Sequence, residues 1–334
     1  MLKRLALIAV GLLSLSAVGA VLAYRSYQRF LVTPLNYTEP VVLTVISGQG
    51  YRTIVDRLER EGVVKHRWHW WVLGRHSDLA GRIQAGEFAL PVGLAAPDVL
   101  RYLADGRVVQ YALTIVDGWT FKELMFAVSQ HQALEHTLLE LDSEEVARRI
   151  DVDLHHPEGW FEPETYYFPR GTSDLSVYQR AYKAQQQRLA EIWATRAPDL
   201  PLKDPIELLI LASIVEKETG LASERAEIAG VFVRRLRKGM RLQTDPTVIY
   251  GLGDGFDGDL RRRDLRTDTP YNTYTRHGLP PTPIAMPGEA ALKAVAHPAD
   301  GDSLYFVARG DGSHQFSNTL DEHNAAVRKY QLKK

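Results

Sequence analysis

The chain of 334 residues contains no cysteine. That excludes disulfide staples, a thiolate nucleophile and cysteine-ligated zinc. It also lacks a charge excess of either sign, with 40 basic residues against 41 acidic ones. Nucleic-acid binders carry a clear basic surplus, so no nucleic-acid partner is expected. Internal repeats and low-complexity segments are absent. Histidines are present but dispersed: His277, His297, His314 and His323 are too scattered to name a metal site. Neither a metal nor a cofactor is expected.

What is present begins with an apolar run. MLKR is followed by residues 5–24, LALIAVGLLSLSAVGAVLAY, without a charge. About twenty apolar residues can cross the hydrocarbon core as a helix. Lys3 and Arg4 hold residues 1–4 on the cytoplasmic side and place the bulk of the chain outside, an asymmetry that Arg25 and Arg29 weaken. A cleaved signal peptide is the competing reading, with Val21-Leu22-Ala23 as a tolerable cleavage site. The run is longer than a usual signal core. Both readings export the protein.

Residues 25–40, with Pro34 and Pro40, read as a linker. Residues 41–106 then suggest a small unit. VVLTVI (41–46) and IQAGEFAL (83–90) read as strands, 50–62 and 66–76 as helices, and DVLRYLADG (98–106) as a closing helix. This β-α-α-β order resembles a LysM-like carbohydrate-binding module. Trp68, Trp70 and Trp71 can stack on sugar rings, but tryptophans clustered on a helix are more often core. Residues 107–334 form the larger part. There 108–118 is a strand candidate, Thr120 to about Gln130 a helix, and 131–155 polar with helical flavour. EGWFEPETYYFPRGTS (158–173) reads as an ordered loop, 174–197 as a long amphipathic helix and SLYFVA (303–308) as a strand. The fold class is α+β.

The chemistry centres on LLILASIVEKETG (208–220). From Ile206 to Val215 only Glu207 and Ser213 are polar, as in a helix buried on all sides. Gly220 is a natural stop, and Ser223 suits the N-cap of a following helix that runs to about Lys238. Glu216 and Glu218 stand about 200° apart around the axis and must face opposite ways. Glu218 shares a face with Leu211 and Ile214. Apolar neighbours and the negative helix end both raise a carboxyl pKa, which suits a general acid. The competing reading makes both glutamates ordinary helix-end acids paired with Arg or Lys. RLQTDPTVIYG (241–251) and YNTYTRHGLPPTPIAMPG (271–288) add aromatic faces, hydroxyls and amides, the mixture a sugar site needs. Composition and position assign Gln243, Thr244, Asp245, Tyr250, Tyr271, Asn272 and Tyr274 to a sugar cleft. Pro246 and Pro287 can instead simply shape turns, and Tyr250 can be core.

IVEKETG, GMRLQTDPTVIYG, YNTY, GLPPTPI, AHP and LYFVA, in this order, resemble the MltG/YceG-like endolytic murein transglycosylases over roughly 155–330. EGWFEPETY and IQAGEFAL also fit that family. The resemblance implies a single-pass inner-membrane protein with a LysM-like subdomain and a periplasmic catalytic domain. It implies cleavage of the MurNAc–GlcNAc β-1,4 bond of peptidoglycan without water, leaving a 1,6-anhydro-MurNAc end. It places catalysis on the second glutamate of EKE, which is Glu218. One carboxylate then serves as acid and afterwards as base. A membrane tether restricts reach to nascent strands, which points to strand termination beside peptidoglycan synthases. Two alternatives stand: a hydrolytic muramidase using Asp245 or Asp264 as a second carboxylate, and a glycan-binding protein without catalysis.

Overall fold

A computed structural model describes residues 2–46, 48–151, 154 and 156–332. The chain divides into two compact units. The first comprises 1–111 with the short segment 168–171, and the second comprises 112–167 and 172–334.

The first unit opens with helix α1 (Leu2–Val32), which is long and apolar enough to cross a membrane. Helix continues through 25–32, where a linker was expected, because no glycine or proline interrupts the chain before Pro34. The last turns of α1 also have a partner in this unit, since the Phe30 ring stacks on His69 at 4.9 Å. Strand β1 (Val41–Val45), helices α2 (Tyr51–Arg60) and α3 (Arg67–His76), strand β2 (Gly86–Leu90) and helix α4 (Ala96–Ala104) follow. The expected β-α-α-β order is therefore present, with β1 and β2 antiparallel and Val41 opposite Leu90. Alternation sends Leu43 and Val45 inward from β1 and Phe88 and Leu90 inward from β2. Ile54, Val55, Leu58, Trp70 and Val99 close over them. Trp70 is core at 1% exposure. Trp71 carries Arg52 and Arg67 over its ring, at 5.5 and 5.3 Å. Trp68 is exposed.

Strand β3 (Gln110–Thr114) leads into the second unit. Helix α5 (Phe121–Ser129) starts with a reciprocal capping box between Thr120 and Glu123, so its onset falls where the sequence placed it. The stretch 131–155 holds only a short strand β4 (Leu134–Glu135) and helix α6 (Ser143–Ile150), with Val152, Asp153 and His155 outside the described residues. The loop expected at 158–173 ends as strands β5 (Thr165–Pro169) and β6 (Thr172–Ser173). Helices α7 (Asp174–Ala194), α8 (Pro205–Glu218), α9 (Arg225–Arg237), α10 (Asp245–Leu252) and α11 (Glu289–Ala296) form the body. A hairpin of β7 (Tyr305–Ala308) and β8 (His314–Ser317) and helix α12 (Leu320–Tyr330) complete the unit.

Helix α8 is the axis of this unit. Every residue from Leu208 to Val215 is buried. Leu208, Leu209, Leu211, Ala212, Ile214 and Val215 share one cluster with Ile228, Phe232, Leu242, Leu292 and Val295, and α8 contacts α11, α9 and α7. Its start is fixed by Asp204, whose Oδ1 accepts the Glu207 amide at 2.9 Å, and by Pro205 at the first position. The single buried polar residue of this run is satisfied twice. The Ser213 hydroxyl donates to the Ile210 carbonyl at 2.7 Å and accepts the Ile284 amide at 3.0 Å, tying α8 to the proline-rich loop.

Candidate active site

Helix α8 ends on Glu218, with Thr219 in extended conformation as its C-cap. The next helix does not take Ser223 as its cap: Glu224 occupies that position and makes no side-chain cap bond. Its carboxylate is committed elsewhere. Glu224 accepts the His314 amide at 3.0 Å and the His314 Nδ1–H at 2.7 Å, clasping β8 to the start of α9.

The two glutamates of EKE face opposite walls, as helical geometry requires. Glu216 is nearly buried, its side chain 6% exposed. Its Oε2 accepts the Gly288 amide at 3.0 Å, and its Oε1 lies 3.6 Å from Arg225. Burial raises its pKa, and the Gly288 bond opposes that rise. Gly288 is the N-cap of α11 and is pressed against Asp117, where a Cβ would stand 2.3 Å from the carboxylate Oδ1. Glu216 therefore fastens α8 to the head of α11, a structural duty.

Glu218 borders a cavity of about 520 Å³. Its Oε1 accepts a short hydrogen bond from the Thr244 hydroxyl, while no protein partner among the described residues engages Oε2. Burial pushes the carboxyl up from 4.5 to about 7. The Thr244 bond opposes that rise, Asp245 adds to it, and His314 and Arg235 pull it down. A carboxyl poised near neutrality, with one oxygen fixed and the other free, can deliver and recover a proton.

The backbone that presents Thr244 is strained. Gln243 sits at φ 51°, unusual for a residue with a side chain. Surrounding bonds hold that conformation: the Gln243 amide donates to the Thr273 carbonyl at 3.2 Å, and the Thr244 amide to the Thr273 hydroxyl at 3.1 Å. Arg235 pins the preceding carbonyl, donating to Leu242 at 2.7 Å.

Of the residues assigned to the cleft from sequence, Gln243, Thr244, Asp245 and Tyr274 line this cavity with Glu218. The Tyr274 hydroxyl donates to Asp245 Oδ1 at 2.5 Å. The other three do not line it. Asn272 is fully buried, its amide nitrogen reaching the carbonyls of Asp264, Leu265 and Thr267 and its oxygen accepting the Tyr274 amide. It shapes the loop that carries Tyr274. Tyr250 and Tyr271 meet edge to face at 4.9 Å, and the Tyr250 hydroxyl donates to Glu158 Oε2 at 3.2 Å. Glu158 also accepts the Phe121 amide at 2.9 Å, and burial raises it to about 7. Asp264 does not line the cavity either; its Oδ2 accepts the Arg261 amide at 2.9 Å.

Sequence reasoning missed Arg235, Tyr305, His314 and His323, which line the same cavity. The His323 ring stacks on Tyr305 at 5.2 Å, and the Arg235 guanidinium lies over Tyr305 at 5.1 Å. No local signal marks them, because Tyr305, His314 and His323 reach Arg235 from 70 to 88 positions away in sequence. Among the described residues no cluster of three or more acids and histidines could hold a metal.

Comparisons with known proteins agree with this architecture. An endolytic murein transglycosylase of Bacillus subtilis is 30% identical, with 91% of this chain and 89% of that protein aligned. One of Streptococcus pneumoniae is 28% identical over 91% of this chain, which spans 61% of that longer protein. A crystal structure of a yceG-like protein from Listeria monocytogenes superposes with a TM-score of 0.56 at 28% identity, covering 86% of this chain and 98% of that one. The YceG-like family model matches residues 43–329. With the match running through both units and across Glu218, the chain belongs to the YceG-like family.

Proposed function

We propose that the protein is a lyase, a membrane-anchored endolytic murein transglycosylase that cuts the MurNAc–GlcNAc β-1,4 bond of peptidoglycan strands and leaves a 1,6-anhydro-MurNAc end. The observation that carries the reading is Glu218: a single carboxyl raised to about 7, fixed on one oxygen by Thr244 and bordering a polar cavity. The names of the Bacillus and Streptococcus relatives support it.

In this mechanism protonated Glu218 gives its proton to the glycosidic oxygen. The bond from that oxygen to the MurNAc anomeric carbon breaks, its electron pair leaving with the oxygen. Positive charge develops at the anomeric carbon, where the N-acetyl carbonyl of the same sugar can stabilise it. Glu218, now a carboxylate, takes the proton of the C6 hydroxyl as that oxygen closes on the anomeric carbon. One group thus acts as acid and then as base, and no water is consumed. Thr244 keeps the carboxyl oriented through both steps, and Tyr274, Asp245 and Gln243 supply polar contacts to the sugar.

A second reading has its own observation: Asp245 lines the same cavity. With Asp245 as nucleophile or base the protein would be a hydrolytic muramidase. Product mass decides, because hydrolysis adds a water that the anhydro end lacks. The Glu218→Gln variant keeps shape without a carboxyl proton. Wild-type release of anhydro-muropeptides by that variant would remove Glu218 from the mechanism.

The rest of the reading concerns place. Residues 5–24 of α1 anchor the protein in the inner membrane, with Lys3 and Arg4 inside and the chain from residue 25 onward in the periplasm. A signal sequence passes the same test of length and composition, and N-terminal sequencing of the membrane-extracted protein separates the two. The β-α-α-β unit serves as a LysM-like glycan contact. The enzyme ends nascent strands beside peptidoglycan synthases, which co-purification tests.

A further inference from the structure

The first unit carries a surface that catalysis does not use. The uncharged run of α1 ends at Tyr24, yet the helix continues unbroken to Val32. Ser26, Tyr27 and Phe30 all meet His69 of α3: Ser26 Oγ lies 3.3 Å from its Nε2, and the two rings stack on it at 6.0 and 4.9 Å. These residues stand about 3 to 9 Å along the axis beyond the apolar run. The headgroup layer of one leaflet is about 6 Å thick. His69 is therefore held at headgroup depth by a rigid helix.

The Trp68 ring lies on His69 at 3.7 Å and is the tryptophan of α3 left open, 43% exposed. Lys65, His66 and Arg67 immediately before it are exposed as well. At the end of α1 and from the second half of α2 to the start of α3, Arg25, Arg29, Arg57, Arg60, Lys65 and Arg67 outnumber Asp56, Glu59 and Glu61, with Arg67 3.8 Å from Glu59. A cavity of about 480 Å³ lies beside His69, lined by the polar Ser26, Thr33 and Lys65 together with the apolar Phe30 and Val63. An amphipathic ring beside surplus cations is the make-up of a bilayer interface contact.

We propose that the turn from α2 to α3, with Trp68, rests among the headgroups of the bilayer that α1 crosses, and that the cavity beside Lys65 takes the phosphate of an anionic phospholipid. The proposal rests on the reading of α1 as a retained span. It assigns Trp68 to lipid, where a sugar-binding module would use it for glycan.

The test uses the full chain in nanodiscs of phosphatidylglycerol or phosphatidylcholine whose acyl chains are brominated near the headgroup. Bromine quenches tryptophan emission on contact. The expected result is quenching that is stronger in phosphatidylglycerol, falls by at least half in Trp68→Phe, and loses its lipid preference in Lys65→Glu. Equal quenching in wild type and Trp68→Phe would overturn the contact while leaving the anchor standing. Trp68-dependent emission changes with chitin-type oligosaccharides but none with lipid would give the surface to glycan. A chain shortened at its N-terminus in native membranes would overturn the anchor and this contact together.

Discussion

Thr244→Val isolates the bond on which the acid–base reading turns. Valine matches the volume of threonine, and Thr244 is 2% exposed, so the packing is kept and only the donor is lost. The Thr244 hydroxyl donates to Glu218 Oε1 and stabilises the carboxylate form, which holds the pKa below the level burial alone would set. A hydrogen bond to a charged group contributes about 1.5–3 kcal/mol, and one pKa unit corresponds to about 1.4 kcal/mol, so its loss moves Glu218 up by about one to two units. The acid step needs the protonated form, so kcat/KM falls as pH rises through the pKa of the free enzyme. The alkaline limb of wild type is expected near 7 and that of Thr244→Val near 8 to 9. Release of anhydro-ended products from defined glycan strands, followed by mass spectrometry across pH 5–10, measures both limbs. Carbon NMR of a labelled Glu218 carboxyl gives the same displacement without turnover. An alkaline limb that stays put or moves down would refute the role given to Thr244.

Glu218 also makes stability depend on pH. Its folded pKa of about 7 lies above the ordinary 4.5, so the native state binds the proton more tightly than the unfolded one. Stability therefore falls between about pH 4.5 and 7 as the buried carboxyl is forced to ionise. Glu218→Gln, unable to ionise, should gain about 2.5 kcal/mol relative to wild type between pH 5 and pH 8, read from urea unfolding at the two pH values. Glu216→Ala should lower stability by about 1–3 kcal/mol by leaving the buried Gly288 amide unpaired, with melting temperature as the readout. Asn272→Ala removes donors to three carbonyls and an acceptor for the Tyr274 amide. It should destabilise the protein by about 2–4 kcal/mol and raise KM through the misplaced Tyr274 rather than shift the pH profile.

Periodicity made the small unit and the spine of the second unit legible, because local apolar spacing decides where a helix or strand forms. The run from Leu208 to Val215 needed nothing beyond its own composition to declare itself buried, and the rotation between Glu216 and Glu218 follows from helical pitch alone. What could not be read was pairing at a distance. Ser223 has the chemistry of an N-cap, yet Glu224 takes the position because β8 brings His314 to its carboxylate. Glu158 looks like a loop acid, but its neighbours Phe121 and Tyr250 lie 37 and 92 positions away. Tyr250, Tyr271 and Asn272 have sugar-site chemistry in isolation; their partners turn them into braces. Arg235 and His323 become cavity residues only once α9 and α12 meet the β7–β8 hairpin.

The opposed bonds of Glu216 and Glu218 make α8 an indexed shaft. Gly288 on one side and Thr244 on the other fix its azimuth, so the direction of the Glu218 carboxyl is set partly by the bond that Glu216 makes on the opposite side of the helix. Inserting one residue after Val215 would turn the helix end by about 100° and advance it by about 1.5 Å, releasing both locks at once. The loop at 241–245 is clamped as well, by Thr273 and Arg235 on its backbone and by Tyr274 on Asp245. Rotation of the shaft and the seat of Thr244 are therefore fixed by separate sets of bonds, and the direction of the Glu218 carboxyl depends on both.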